Sequence, residues 1–394
     1  VDNDMIPIPF EYETLRLIWW VLLGILLIGF AIMDGFDMGV AFLNPIIGRT
    51  DAERRIILNT VGPVWDGNQV WLLLAGGAIF AAFPAIYAAA FSGFYIPMLL
   101  VLLSLIMRPV SFEFRNKFDI SKRKYWDYSL FLSGLIPPLV FGVAFGNLFQ
   151  GVPFFLDELR QPHYVTGSGI LGILGGFPTL LNPFGLLCGL VSVLMLIVHG
   201  AVFLACKTKG IVHDRAVKVI YITIIIWFIL FLLGGLWIGK IEGFKIVGSI
   251  DHNGPSNPMI KEVTRIVGSW SENYVNYPML IFVPLIAFIC SGVTAFLTCW
   301  KWHSSAFIFS GLMIASVIAT AGIALFPFLL PSSIKPNHSL TLWDATSSSI
   351  TLWLMTIAAL IFIPIIIIYT SWAYRVMRGT ITEKYVKENT TTLY

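Results

Sequence analysis

The sequence predicts an all-α, polytopic membrane protein of about nine transmembrane helices, arranged as two four-helix bundles with one peripheral helix. Three observations carry that reading. Apolar residues make up 57% of the 394 and charged residues only 12%, about half the charged share of a soluble domain. The apolar residues gather into runs of roughly 20 or more, the length a helix needs to cross the hydrocarbon core. The Lys and Arg residues fall mostly in alternate connections between those runs.

The runs lie at about 17–43, 61–83, 86–110, 127–149, 180–206, 216–239, 277–299, 305–330 and 350–374. Residues 17–149 would form the first four-helix bundle and 180–330 the second, with a ninth helix at 350–374 and a tail at 375–394. The ten-residue alternation of a membrane β-barrel is absent. With the N-terminus outside, the inner connections hold 17 Lys and Arg and the outer ones 6. That bias predicts a periplasmic N-terminus and a cytoplasmic C-terminus. The opening stretch VDNDMIPIPFEYETLR has no basic region, so the first span reads as its own insertion signal. In the outer connection 240–276, Asn257-Pro258 can open a short helix. Ile260, Val263, Ile266 and Val267 would then form its apolar stripe, lying on the membrane as a cover.

Charge inside the spans is scarce, so its placement is informative. Helix one runs inward from about Ile18 and carries Asp34 and Asp37 about 24 and 28 Å deep. Their i, i+3 spacing puts them on one face. The second span opens with GPVWDGNQVWLL, which sets Asp66 one turn inside the same surface, and the third delivers Arg108 there. Three carboxylates and one guanidinium are thus expected at similar depth, pointing into the bundle. Two readings stand for Asp66. A carboxylate in the first turn after Gly62-Pro63 suits the helix dipole, and a carboxylate beside a cation at a dry entrance suits proton uptake. Asp34 and Asp37 equally suit structural pairing with Arg108, or with Arg54 and Arg55.

Other chemistries find little support. A net charge of +3 does not argue for nucleic acid. Cys188, Cys206, Cys290 and Cys299 contain no C-x-x-C pair and read as small core residues. Of six histidines only His199 lies within a span, a poor basis for several haems, and it reads as a packed residue. No metal spacing, P-loop, nucleophile elbow or dinucleotide fingerprint occurs. Gly35/Gly39 and Gly142/Gly146 are G-x-x-x-G pairs that permit close helix contact.

The ordered motifs LLIGFAIMDGFDMGV (26–40), WDGNQVWLLLAGGAIFAAFP (65–84), FSGFYIPMLL (91–100), RPVSFEFR (108–115), GVAFGNLFQGVPF (142–154), LLNPFGLLCG (180–189), LFPFLLPSS (325–333) and SLTLWDATSSSITL (339–352) resemble subunit II of the cytochrome bd ubiquinol oxidases. The resemblance runs nearly end to end. It implies a complex in the bacterial inner membrane that oxidises ubiquinol and reduces dioxygen to water. Protons would come from the cytoplasm and turnover would build a proton-motive force. Two haems b and one haem d would be held mainly by subunit I. Small single-span accessory subunits, membrane lipid and a bound ubiquinone are further implied partners.

By motif, the resemblance assigns Asp66, Asp37, Arg108 and the terminal Tyr394 to the proton route and Trp71 to the oxygen route. Asp34, Trp65, Asn68 and Gln69 become interface or structural residues, and no metal is assigned to this chain. The acidic leader before Tyr12 and the stretch 167–176 are longer than the family pattern. A proton-coupled secondary transporter is the alternative on residue types alone. It predicts a substrate site near the midplane, whereas the charges here crowd one face.

Overall fold

The computed structural model describes residues 8–165, 177–377 and 379–381. The chain runs through α1 (Tyr12–Ile47), α2 (Asp51–Val61), α3 (Trp65–Ala82), α4 (Pro84–Gly93), α5 (Tyr95–Arg115) and α6 (Arg123–Gln150). A short turn α7 (Phe177–Leu180) precedes α8 (Pro183–Lys207), α9 (Ile211–Ile238), α10 (Glu272–Asn276), α11 (Phe282–Cys299), α12 (His303–Leu325) and α13 (Ser349–Val376). Among the described residues eight helices are long and apolar enough to span a membrane, or nine if the bent pair α3–α4 is one span.

Local chemistry sets many of the ends. Thr50 and Glu53 form a reciprocal capping box that starts α2. Asn182 accepts from the Gly185 amide and Pro183 takes the first position of α8. The expected span at 86–110 is two helices. Pro84 starts α4 at an angle of 120° to α3, and α4 ends at Gly93 rather than running on into α5. Gly93 is needed there because a Cβ would stand 2.1 Å from the Tyr164 ring.

Helices α1 and α8 form the seam of the molecule. Val40, Val198, Ala201 and Val202 are among the fully buried side chains between them and their neighbours. Gly39 lets the backbones meet, since a Cβ would lie 2.2 Å from the Leu196 carbonyl oxygen. Gly142 and Gly146 do the same for α6 against α8, facing the Cys188 carbonyl and Gly185. Both G-x-x-x-G pairs therefore pack helices within this chain.

The short apolar helix expected after Asn257-Pro258 is a strand. After a short antiparallel pair, β1 (Phe154–Leu156) and β2 (Pro162–Tyr164), β4 (Glu262–Val267) pairs antiparallel with β3 (Glu242–Val247), with Lys245 opposite Thr264 and Phe244 opposite Arg265. Pairing explains the difference: Phe244 and Val263 are buried at the ladder, while Ile266 and Val267 are exposed and form no buried apolar stripe. The β-branched Val263, Thr264, Ile266 and Val267 favoured the strand over the i, i+3 stripe. The hairpin's connecting loop is tied to α1 through fully buried Arg16, which donates to Thr346 Oγ1 (3.0 Å) and to the carbonyls of His252 (2.5 Å) and Gly254 (3.0 Å). Lys261 reaches Asp344 at 2.8 Å. Burial holds its ammonium below the usual lysine range, with Asp344 opposing that shift.

Candidate functional site

Two opposite ends can be distinguished. One carries the β3–β4 hairpin. The other carries a basic cluster in which Asp127 accepts from Arg115 Nε (2.7 Å), Arg54 Nη1 (2.7 Å) and Asn44 Nδ2 (3.0 Å), while Asp51 joins Arg115 and Arg123. Asp37 lies ten residues before the end of α1, or roughly 15 Å of helix from that basic end.

There α1, α3, α5 and α13 converge on one buried polar cluster. Arg108 of α5 binds Asp34 of α1 through Nη1 (2.5 Å) and Nη2 (3.3 Å), and neither side chain is exposed. Asp37 accepts a bond from Asn68 Nδ2 of α3 at 2.7 Å. Asn68 Oδ1 in turn accepts from the Tyr374 hydroxyl of α13 at 2.7 Å. Two atoms lack a partner among the described residues, Asp37 Oδ1 and Arg108 Nε. The cluster therefore holds one guanidinium against two carboxylates, with that cation committed to Asp34. Apolar rings wall it. Phe36 stacks on Phe203 at 4.2 Å and meets Tyr374 edge-on at 6.4 Å, while Trp65 stacks on Phe112 at 5.5 Å.

The residues singled out from the sequence are thus divided. Asp34, Asp37, Asn68 and Arg108 come together, and Arg54 pairs with Asp127 instead. Asp66 departs from the expectation that all three carboxylates point inward. It is exposed on the outer face of α3, with no hydrogen bond or ion pair among the described residues. Two residues of helix are about 200° of rotation, so a buried Asn68 turns Asp66 away. Gly67, Val70 and Leu73 share that open side. Gln69 is half-buried. Trp71 is half-buried, with its ring over Gly29, where a Cβ would stand 2.5 Å away. Tyr394 and the stretch 167–176 lie outside the described residues. The sequence reading missed Tyr374, since an aromatic in the last turn of an apolar span carries no signal of its own.

Leu72, next to Trp71, lines an almost wholly apolar cavity of about 340 Å³ with Phe30, Met38, Phe141, Leu196 and Phe231. It could take a non-polar gas or an isoprenoid tail. Haem ligation by His199 fits poorly. His199 is fully buried, its Nδ1 is 2.7 Å from Ser310 Oγ, its Nε2 is 3.1 Å from the Ile32 carbonyl, and its ring stacks on Phe307 at 4.4 Å. Binding iron would break one of those bonds. Among the described residues no three His, Cys, Asp or Glu side chains group as a metal site.

Fold and site define a multi-span helical membrane subunit with a buried carboxylate–guanidinium cluster towards its basic end. Within that class the chain belongs to the cytochrome bd terminal oxidase subunit II family, whose profile matches residues 15–377. It is 48% identical over 386 residues to "Cytochrome bd-I ubiquinol oxidase subunit 2" of Escherichia coli (strain K12), covering 98% of this chain and 100% of the relative. It is 33% identical over 372 residues to "Cytochrome bd ubiquinol oxidase subunit 2" of Bacillus subtilis (strain 168), covering 94% and 98%. In fold it is similar to a chain of the bd oxidase from Geobacillus thermodenitrificans, with a TM-score of 0.68 and 18% identity over 92% of this chain and 98% of that one. The membership makes subunit I its implied partner in a haem-containing complex and sets the transporter reading aside.

Proposed function

We propose that this chain is the proton-handling and scaffolding partner in a quinol-oxidising terminal oxidase of the bacterial inner membrane. Two ubiquinols supply four electrons to one dioxygen, and four protons taken from the cytoplasm complete two waters. Two haems b and one haem d, held mainly by subunit I, supply the electron transfer and oxygen chemistry when bound. The residues of this chain move and hold protons and support that partner.

The observation that carries the reading is the hydrogen-bonded line Tyr374–Asn68–Asp37, which ends, beside the Arg108–Asp34 pair, on a carboxylate oxygen with no partner among the described residues. A free oxygen on a buried carboxylate is a place to hold a proton, and Arg108 limits the charge that must be buried with it. Exposed Asp66, on the open side of α3, is the group that meets subunit I and passes protons across. Tyr394 remains assigned to the same route by its family motif. Trp71 and the apolar cavity beside it suit oxygen access, and the same cavity suits the tail of a bound ubiquinone. The Lys and Arg bias places the basic end in the cytoplasm, on the proton-uptake side. Small accessory subunits complete the proposed assembly.

The test is quinol-driven oxygen uptake by the assembled complex carrying Asp37→Asn or Asp66→Asn. Turnover should fall at least tenfold with haem content unchanged, as expected for loss of a group in proton transfer. Unchanged turnover in both variants would reduce these residues to packing.

A further inference from the structure

At the basic end, the last turn of α1, the start of α2 and the first turns of α6 enclose a separate cavity of about 270 Å³. Arg54, Lys124, Asp127 and Tyr128 line its polar part, and Pro45, Ile46 and Phe131 its apolar part. Ile46 and Tyr128 are exposed, so the cavity opens on the side of the bundle. Phe131 lies seven residues beyond Lys124 on α6, roughly 10 Å deeper along the helix. Cations and a hydroxyl at one level, with aliphatic and aromatic walls below, match the boundary between headgroups and acyl chains.

The charge balance favours an anion. Asp127 is spent, since its two oxygens accept from Arg54, Arg115 and Asn44. Asp51 is bound to Arg115 and Arg123. Three guanidiniums thus face two carboxylates in the linked network. Lys124 adds a further positive charge, with no carboxylate within ion-pair distance among the described residues; its Nζ lies 5.3 Å from the Tyr125 ring centre. Arg54 bonds the Gly48 carbonyl through Nε and Asp127 through Nη1, and neither contact uses Nη2. Nearby Arg55 is held below the usual guanidinium range chiefly by burial, with Asp51 opposing and Arg123 and Arg115 adding smaller contributions.

We propose that this cavity binds the phosphate headgroup of an anionic phospholipid. Lys124, Arg54 Nη2 and the Tyr128 hydroxyl hold the phosphate, and the acyl chains run along Ile46 and Phe131. Basic recesses between spanning helices recognise anionic lipids in this way, by charge above and apolar contact below. Phe131 is backed by Phe42, stacked at 4.7 Å, so the apolar wall is firm. A free phosphate would use only the upper half of such a site.

The test uses the complete oxidase complex, purified in detergent and stripped of loosely held lipid. Phosphatidylglycerol, phosphatidylcholine and inorganic phosphate are titrated separately, reading lipid retained per complex by native mass spectrometry and the apparent melting temperature. Lys124→Glu is the site variant, because among the described residues no ion pair depends on Lys124. Lys117→Glu is the charge control, because Lys117 is exposed and lies outside the cavity, paired loosely with Glu113. Wild type and Lys117→Glu should retain one phosphatidylglycerol more than Lys124→Glu, whose affinity should fall by roughly 30-fold for a reversal of two unit charges at an anionic headgroup. Only phosphatidylglycerol should raise the melting temperature. Equal retention by Lys124→Glu and wild type, equal stabilisation by phosphatidylcholine, or the full effect from inorganic phosphate alone would each overturn the lipid site.

Discussion

Replacing Asp34 with asparagine strands the Arg108 guanidinium inside the bundle. The two side chains are wholly buried and share two hydrogen bonds, at 2.5 and 3.3 Å. Arg108 Nε already lacks a partner among the described residues, so the cation loses its only carboxylate contacts. Breaking one half of a buried ion pair costs about 3–5 kcal/mol, because the remaining charge is left uncompensated. At about 1.4 kcal/mol per factor of ten, the folded arrangement is disfavoured by roughly 100-fold or more. For a chain of this size the melting temperature should fall by roughly 4–6 °C. The assay is thermal loss of haem absorbance from the purified complex, compared for wild type, Asp34→Asn and Asp34→Asn/Arg108→Gln. The double variant should recover part of the loss, since it removes the guanidinium that has lost its hydrogen-bonded partner and leaves Asp37 as the one carboxylate of the cluster. A single variant as stable as wild type would refute the reasoning. So would a double variant no better than the single one, because the pair would then not act as a unit.

Asn68→Leu cuts both links between Tyr374 and Asp37, so oxygen uptake should fall about tenfold with normal haem spectra; Tyr374→Phe should fall in the same direction, and normal rates in both would break the proposed line. Gly39→Ala forces a Cβ against the Leu196 carbonyl and should lower the yield of assembled complex, whereas Gly24→Ala, with nothing within 4 Å, should leave it unchanged in a membrane-fraction blot. Burial works to raise the Glu53 carboxyl, but the Arg49 amide, Arg215 and the Thr50 amide outweigh it and hold it below the usual value. Because its folded value is depressed, the stability it contributes is present above the unfolded carboxylate value and is lost as pH falls through the folded one. Amide exchange over residues 49–61 should therefore speed up more steeply below about pH 4.3 in wild type than in Glu53→Gln.

The sequence by itself determined the class, most of the spans and much of the buried cluster. Twenty apolar residues in a row have one solution in lipid, because every backbone polar group must be bonded within its own segment. Rarity made Asp34, Asp37 and Arg108 visible, since charge within a span must meet charge. The close seams at Gly39 and Gly142 were legible for the same local reason: a missing side chain is a place for another helix. What only the tertiary structure decided was direction and partnership. Helical rotation turned Asn68 inward and Asp66 outward, although both belong to the same short motif. Tyr374 entered the cluster from 306 residues away in the chain, and no local pattern encodes that distance. The stretch 262–267 has the spacing of a helix stripe but β-branched residues that suit a strand, and pairing with 242–247 settled it. Each of these outcomes depends on which surface another segment covers, a property of packing rather than of any one stretch of residues.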